Sequence, residues 1–266
     1  MDIRTWLKKR GISFVMQRGR ILLDRYGLGT SKAEQRIDHL MDLFAQYHCA
    51  PTFPVPGIVV ERHSDYIRSL HERGAEIAVH GYNHVSLNTC PPKEAVKQLQ
   101  QAVEVFNNNR LPVFGFRCPY LSSSDALMEA LPGGMFGYSS NKAVRWEVPP
   151  PVDGGKTLDT MFNVIDTFYI PHSADAEPCL PYMQNGMVEI PVSVPDDLQL
   201  RDGLGYTQAD LSRAWIDIMM RTYQRGELFN LMFHPELADF CTLPFSVLLN
   251  AARTMCPERW VARLQD

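Results

Sequence analysis

Two histidines four residues apart follow a short apolar segment. His80 and His84 come directly after "AEIAV" in the stretch "AEIAVHGYNH", residues 75–84. Imidazole nitrogens bind Zn²⁺ and similar divalent ions, and this spacing lets two rings reach one ion from successive turns if the chain continues as a helix. Two histidines in a polar loop are the alternative. The place of the pair at the end of a buried strand favours the metal site.

The elements that must position this pair alternate between helix and strand. Ser31 and Glu34 have capping-box spacing before a helix that ends ahead of Cys49. Strand patterns occupy "AEIAVH", "PVFGFR", "GMFGYSS", "GMVEIPVSV" and "ELFNLMFH". Helical patterns lie between them, in "DYIRSLHERG", after Pro91, in "SSDALMEAL", at 208–224 and around "FSVLLNAARTM". Such alternation predicts parallel β/α units.

These units predict an α/β fold, a distorted or incomplete (β/α) barrel, with a doubly wound open sheet as the alternative. One catalytic domain is expected over 1–266, with a helical extension at 1–29 and the barrel at 30–266. Residues 145–186, rich in Pro, Gly and Asp, are interpreted as an irregular excursion rather than a domain boundary.

Polar clusters follow several predicted strands. His80, Arg117 and His234 each close a strand, and Asp196 and Asp197 leave the end of another. Because the carboxyl ends of parallel strands share one face, these side chains are expected to converge there.

Composition excludes several classes of function. A formal net charge of -4 lacks the basic excess of a nucleic-acid binder, so no nucleic-acid partner is expected.

No signal-peptide pattern or membrane-spanning run is found, which predicts a cytoplasmic protein. The basic N-terminal stretch could contact a membrane surface, although packing on the domain is favoured. Six cysteines without a C-x-x-C pair do not suggest a zinc-thiolate cluster or a redox dithiol.

Five short motifs follow one another along the chain: "TFPVPG", "GAEIAVHGYNH", "GFRCPY", "GYSS" and "LFNLMFHPE". Over roughly residues 37–236 the chain resembles the polysaccharide deacetylase family, the carbohydrate esterases related to chitooligosaccharide deacetylases. With "EIPVSVPDD" it is similar to deacetylase-like proteins of O-antigen and surface-polysaccharide biosynthesis.

The resemblance implies a metal-dependent amide hydrolase that acts on N-acyl sugars in a distorted barrel. It implies that His80 and His84 bind the metal and that His234 is the general acid. Arg117, Pro119 and Tyr120 match a motif that shapes the groove and supports the catalytic carboxylate. An N–H group or cation near Tyr120 is expected to stabilise an oxyanion.

The chain departs from the family in its first motif, which normally carries two aspartates. "ILLDRYGLGT" offers only Asp24, flanked by Arg20 and Arg25, and an ion-pairing role is favoured over a ligand role.

Asp196 and Asp197 are the replacement candidates for the missing carboxylate. Adjacent residues on an extended chain point oppositely, so one of them, Asp197 ahead of Asp196, is expected to face the metal and take the proton of the attacking water. Capping of the next turn is the alternative for either residue. Glu236, two residues after His234, is expected to orient that histidine, to substitute as the acid or simply to be exposed.

The expected function is removal of an N-acyl group, most simply acetyl, from an amino sugar by a divalent-metal enzyme, with Zn²⁺ as the expected ion. A role in O-antigen or lipopolysaccharide biosynthesis follows from the resemblance, with the sugar free, nucleotide-linked or lipid-linked. A catalytically silent carbohydrate-binding protein is one alternative. A hydrolase of formyl groups or cyclic amides is another.

Overall fold

The computed structural model describes residues 30–152, 169–256 and 258–266. The α-helices in this part of the chain are α1 Ser31–Gln46, α2 Gly57–Arg62, α3 Ser64–Glu72, α4 Pro92–Asn108, α5 Asp125–Ala130, α6 Gln208–Arg225 and α7 Ala238–Met255. The strands are β1 Thr52–Val55, β2 Glu76–Val79, β3 Gly115–Phe116, β4 Tyr138–Ser139, β5 Ala143–Arg145, β6 His172–Ser173, β7 Tyr182–Gln184, β8 Met187–Glu189 and β9 Val192–Val194. The predicted N-terminal helix and Asp24 lie outside the described residues.

The strands form two sheets. One has six strands in the order β1-β2-β3-β4-β8-β7, and the other has three in the order β6-β5-β9. Neighbouring strands are parallel except for the antiparallel pair β7–β8. The carboxyl ends of β2, β3 and β4 therefore lie at one edge of the larger sheet, and β9 brings its own carboxyl end from the smaller sheet. The α/β class predicted from the sequence is confirmed.

Two predicted strands differ from the observed ones. "GMVEIPVSV" is not one strand: it divides into β8 and β9, which belong to different sheets. "ELFNLMFH" forms only an isolated bridge, in which Leu231 pairs with Ser193. The physical reason is the same for both. Pro191 and Pro195 flank β9 and have no N–H group to donate, so the ladder cannot extend past either end of the strand.

Apolar packing covers both sheets. A cluster that includes Ile77 and Phe116 lies between the larger sheet and helices α2 to α5. A second cluster, with Val192 and Trp215, joins β9 to α1, α6 and α7. Phe233 packs against both clusters, directly before His234. Among the described helices, none combines the length and the apolar character that crossing a membrane requires.

Helix capping also differs from expectation. The predicted capping box at Ser31 is wrong: the residue before α1 is Thr30, and its side chain makes no capping hydrogen bond. A capping box is present at α6 instead. There the Asp210 amide donates to Thr207 Oγ1 at 3.2 Å, and the Thr207 amide donates to Asp210 Oδ2 at 3.0 Å.

Replacing Thr207 by alanine is expected to lower the free energy of unfolding by about 1 kcal/mol, since one amide at the start of α6 loses its acceptor. Urea denaturation of the Thr207→Ala variant measures this loss. Thr254→Ala, in the exposed last turn of α7, is the matched control, with an expected change below about 0.5 kcal/mol. Equal losses in the two variants would contradict the capping role.

Candidate active site

His80 and His84 lie close together at the carboxyl end of β2. Their ring centroids are 4.9 Å apart. No helix follows His80 directly, because residues 82–84 form a bend and the next helical turn begins only at Leu87. Gly81 and His84 adopt left-handed backbone conformations with φ of 68° and 48°. The two rings are therefore brought together by a tight bend rather than by successive helical turns.

The hydrogen bond of His80 determines which ring nitrogen is free. Its Nδ1 lies 2.8 Å from the carbonyl oxygen of Arg117. A carbonyl can only accept, so Nδ1 carries the proton and Nε2 keeps its lone pair. Burial lowers the pKa of His80 to about 3, and burial also lowers the pKa of His84. Both imidazoles are neutral at pH 7, and a neutral ring held by a carbonyl is the form that binds a divalent ion.

Arg117 lies at the end of β3 and is 7% exposed. Its Nε donates to the Ser140 carbonyl at 3.0 Å, and its Nη2 donates to Ser140 Oγ at 2.8 Å. Burial lowers the pKa of Arg117 to about 10, which leaves the guanidinium charged at pH 7. These side-chain bonds reach Ser140 rather than the carboxylate of Asp196 or Asp197. Support of a catalytic carboxylate by Arg117 stays a prediction.

Tyr120 stands next to the histidine pair. Its ring centroid is 5.0 Å from that of His84, and the residue is 46% exposed. Tyr120 and Leu121 both have left-handed backbone conformations, with φ of 61° and 54°. Such conformations are costly for residues other than glycine and persist where neighbours hold them. A hydrogen bond of 2.9 Å from Ser86 Oγ to the buried Ser122 Oγ joins this loop to the His84 loop.

Asp197 and His234 form a buried dyad. The His234 Nδ1–H group donates to Asp197 Oδ1 at 2.7 Å, and the His234 amide donates to Oδ2 at 2.8 Å. The Leu198 amide and the Cys241 thiol also donate to this carboxylate, at 2.9 and 3.7 Å. Asp197 is fully buried, so its two oxygens depend on these four donors. The carboxylate fixes the tautomer and the orientation of the His234 ring.

Asp196 points to a different partner. Its Oδ1 accepts from the Gln199 amide at 2.8 Å, while its own amide donates to Gln199 Oε1 at 2.9 Å. This reciprocal pair caps the turn that follows β9. Burial raises the pKa of Asp196 to about 6. Gln199 Nε2 also donates to the Tyr169 hydroxyl at 2.6 Å, so Tyr169 belongs to the same network.

The structure thus assembles the predicted residues into two groups. Asp196, Asp197 and His234 offer ligand atoms within 4.8 Å of one another, and across 30–152, 169–256 and 258–266 this is the one set of three or more such residues. His80 and His84 are not members of that set. Binding of Asp197 to a metal held by His80 and His84 therefore stays a prediction, and its observed contacts are those of a partner of His234.

Electrostatic interactions connect the two groups. The charge of His234 lowers the pKa of both His80 and His84, and the charge of Glu236 raises the pKa of both His84 and His234. Such interactions decay within several ångströms, so the three imidazoles and the Glu236 carboxylate share one region.

The stability of the protein is expected to fall in mild alkali because of His234. Burial lowers its pKa, but the Asp197 hydrogen bond and the charges of Asp196 and Asp197 outweigh burial and raise the pKa to about 9 from 6.5. A raised pKa stabilises the fold fully below pH 6.5, and this contribution is lost as the pH rises through about 9. The loss is at most about 3 kcal/mol.

Urea unfolding at about pH 7 and about pH 9.5 measures this loss for wild type and His234→Gln. The variant should lose less stability over the interval than wild type. His48→Gln, at an exposed histidine, is the control and should behave as wild type does. A wild-type loss that persists in His234→Gln would contradict the assignment.

Two functional candidates were not predicted as site residues from the sequence. Ser140 receives the Arg117 guanidinium, and Asn230 donates to Ser140 Oγ at 3.1 Å. Ser140 belongs to the "GYSS" motif and Asn230 to "LFNLMFHPE", so the motifs held both residues. Serine and asparagine side chains do not titrate near neutral pH and bind metals weakly, so their residue types did not indicate a role in the site.

Comparison with known proteins identifies a matching family model and a curated relative. The polysaccharide deacetylase family model matches residues 26–132. A peptidoglycan deacetylase from Helicobacter pylori is 24% identical over 231 residues, which cover 81% of this chain and 76% of that protein.

Two solved structures share the fold. One, from Mycobacterium smegmatis and described as a polysaccharide deacetylase, has a TM-score of 0.66 at 21% identity and covers 89% of this chain and 78% of the other. The other, a Puue allantoinase, has a TM-score of 0.63 at 15% identity and covers 86% and 69%. Both likenesses confirm the distorted barrel expected from the sequence.

The family model covers β1, β2, β3 and the histidine pair, and the predicted motif order continues through His234. The amide-hydrolase class predicted from the sequence is the class of these proteins. The chain is similar to the polysaccharide deacetylase family over residues 26–132 and to these relatives over most of its length.

Proposed function

We propose that this protein is a metal-dependent hydrolase that removes an acyl group, most simply acetyl, from the nitrogen of an amino sugar. The observation that carries the proposal is the pairing of two neutral histidines, His80 and His84, with a separately oriented histidine, His234, in one region. Amide hydrolysis needs an activated water on one side of the carbonyl and a proton donor for the departing amine.

Each residue then has a role in this proposal. A divalent ion, Zn²⁺ in this proposal, bound by Nε2 of His80 and by His84 supplies carbonyl polarisation and a more acidic water. His234 is protonated at pH 7, because its pKa is raised to about 9, and it delivers a proton to the amine nitrogen. Tyr120 borders the acyl group, and an amide of its loop stabilises the oxyanion.

Glu236 and Asp196 are the proposed candidates for the carboxylate that collects the proton of the attacking water. Glu236 interacts with both His84 and His234, and Asp196 has a pKa raised to about 6 by burial. Asp197 is already committed to four donors. The kcat values of the Glu236→Gln, Asp196→Asn and Asp24→Asn variants identify which acid is the general base; Asp24 is included as the single acid of the first motif. Loss of a general base costs about 10²- to 10⁴-fold in kcat.

The sugar is proposed to be part of a bacterial surface polysaccharide. The motif resemblance favours O-antigen or lipopolysaccharide synthesis in the cytoplasm, with a free, nucleotide-linked or lipid-linked acceptor. The Helicobacter pylori relative is named for peptidoglycan. Peptidoglycan fragments therefore belong to the same proposal as nucleotide-linked N-acetyl sugars.

Mass spectrometry of released acyl groups tests the proposal. The panel contains free, nucleotide-linked and lipid-linked N-acetyl sugars, peptidoglycan fragments, N-formyl sugars and a cyclic ureide, each with Zn²⁺ or Co²⁺. Acetate release by wild type and not by His234→Ala supports the proposal. Failure to hydrolyse any N-acetyl sugar with fully metal-loaded protein overturns it. Hydrolysis restricted to the ureide or the formyl sugar assigns the neighbouring activity instead.

A catalytically silent carbohydrate-binding protein is the second candidate. The observation that favours it is the missing double-aspartate motif, since "ILLDRYGLGT" has only Asp24. Metal analysis after purification without chelators separates the two. Near-stoichiometric metal that is lost on removal of His80 and His84 favours the enzyme, whereas glycan binding without metal favours the silent protein.

A further inference from the structure

Ser140 directly follows β4, and its side chain bonds to three separate segments of the chain. Its hydroxyl accepts from Arg117 Nη2 at 2.8 Å and from Asn230 Nδ2 at 3.1 Å, and it donates to the Ile190 carbonyl at 2.8 Å. A serine hydroxyl has one donor and two acceptor positions, and here all three are used. Ser140 is fully buried, so water cannot replace any of these partners. We call Arg117, Ser140 and Asn230 the Ser140 junction.

One arm of the junction reaches the histidine pair. The Arg117 carbonyl holds Nδ1 of His80 at 2.8 Å, and the Arg117 amide donates to the Val79 carbonyl at 2.9 Å. The guanidinium of the same residue is fixed on Ser140. The orientation of the His80 ring is thus set by a residue that the junction holds.

The other arm reaches His234. The segment that leads to this histidine pairs with β9 only through Ser193, whose amide donates to the Asn230 carbonyl at 3.0 Å. Asn230 adds two side-chain bonds, to Ser140 Oγ and, at 2.8 Å, to the Pro191 carbonyl. Because Pro191 and Pro195 prevent a longer ladder, these side-chain bonds replace strand pairing in holding the segment.

We propose that Ser140 and Asn230 are positioning residues that set the distance between the His80–His84 pair and the His234 dyad. The inference rests on the proposed function, in which these two groups act on opposite sides of one amide. Buried hydrogen bonds with every partner satisfied hold such a geometry rigidly. A displacement of about 1 Å at a reacting group can cost about 10²-fold in rate.

Kinetics of Ser140→Ala, Asn230→Ala and the double variant test the proposal. Each single change should lower kcat by about 10- to 100-fold and leave KM within about twofold, since the geometry is lost rather than the groups that bind substrate. The double variant should be no slower than the slower single variant, because both changes break one link. Thr222→Val, which removes a buried 2.8 Å hydroxyl bond inside α6, is the control and should keep wild-type kcat.

Crystal structures of metal-free wild type, Ser140→Ala and Asn230→Ala test the same point without activity. The separation between the His80 and His234 rings should change by about 1 Å in each variant. Multiplicative losses in the double variant, or unchanged separations in both single variants, overturn the proposal. If wild type hydrolyses no amide but the separation shifts as expected, the proposed function fails and the positioning role stands.

Discussion

Replacing His80 and His84 together by alanine is expected to abolish divalent-metal binding and to lower amide hydrolysis by about 10³-fold or more. Lewis-acid assistance is worth several kcal/mol in the transition state, and each 1.4 kcal/mol is about tenfold in rate. The centroids of the two rings lie 4.9 Å apart. Because Nδ1 of His80 is bonded to the Arg117 carbonyl, Nε2 of that ring is available to the ion.

Elemental analysis and calorimetric Zn²⁺ titration measure the metal, and acyl release measures the rate. The matched control is His39→Ala combined with His48→Ala, which removes two exposed histidines. The control should keep both the metal and the rate. Full metal content in the His80→Ala and His84→Ala double variant would contradict this site. The metal would then be assigned to Asp196, Asp197 and His234, whose ligand atoms also lie close together.

Asparagine in place of Asp197 is expected to lower kcat by about 10²- to 10⁴-fold while the protein keeps its metal. An amide cannot accept from four donors, and its NH₂ group would meet an N–H of His234 or Leu198. The pKa of His234 should fall, because the Asp197 bond and charge that raise it to about 9 are lost. His234 would then be poorly oriented and largely unprotonated at pH 7.

Metal content distinguishes the two roles that Asp197 can have. If Asp197 serves His234, as its contacts indicate, Asp197→Asn retains Zn²⁺ and loses rate; if it ligates the ion held by His80 and His84, metal and rate fall together. Asp217→Asn changes the charge equally at a surface ion pair with Arg221 on α6 and should stay within about twofold of wild type. A wild-type kcat for Asp197→Asn would contradict both roles.

The residue types and periods in the sequence predicted much of the arrangement. His80 and Arg117 follow β2 and β3, and Asp196 and Asp197 follow β9. Short apolar runs that end in polar residues locate the ends of such buried parallel strands. Adjacent aspartates were expected to point apart, and in the structure Asp196 caps a turn while Asp197 binds His234.

Other features depend on contacts between distant residues, and no local pattern reports them. The left-handed conformation of His84 is uncommon for any residue other than glycine, histidine included, so the residue type does not predict it. The "ELFNLMFH" pattern suits a strand, but its partner β9 is bounded by prolines and can offer only Ser193. The link from Asn230 to Ser140 spans 90 positions of sequence, so only the folded chain reveals it.

The last residues of the chain lie at the opposite end of the larger sheet from the histidines. The Leu264 amide donates to Thr52 Oγ1 at 2.8 Å, and the Gln265 amide donates to Glu76 Oε2 at 3.1 Å. Thr52 and Glu76 begin β1 and β2, whereas His80 follows the end of β2. Attachment to a chip or resin through residues 264–265 would leave the histidine face turned outward, open to the surrounding solution.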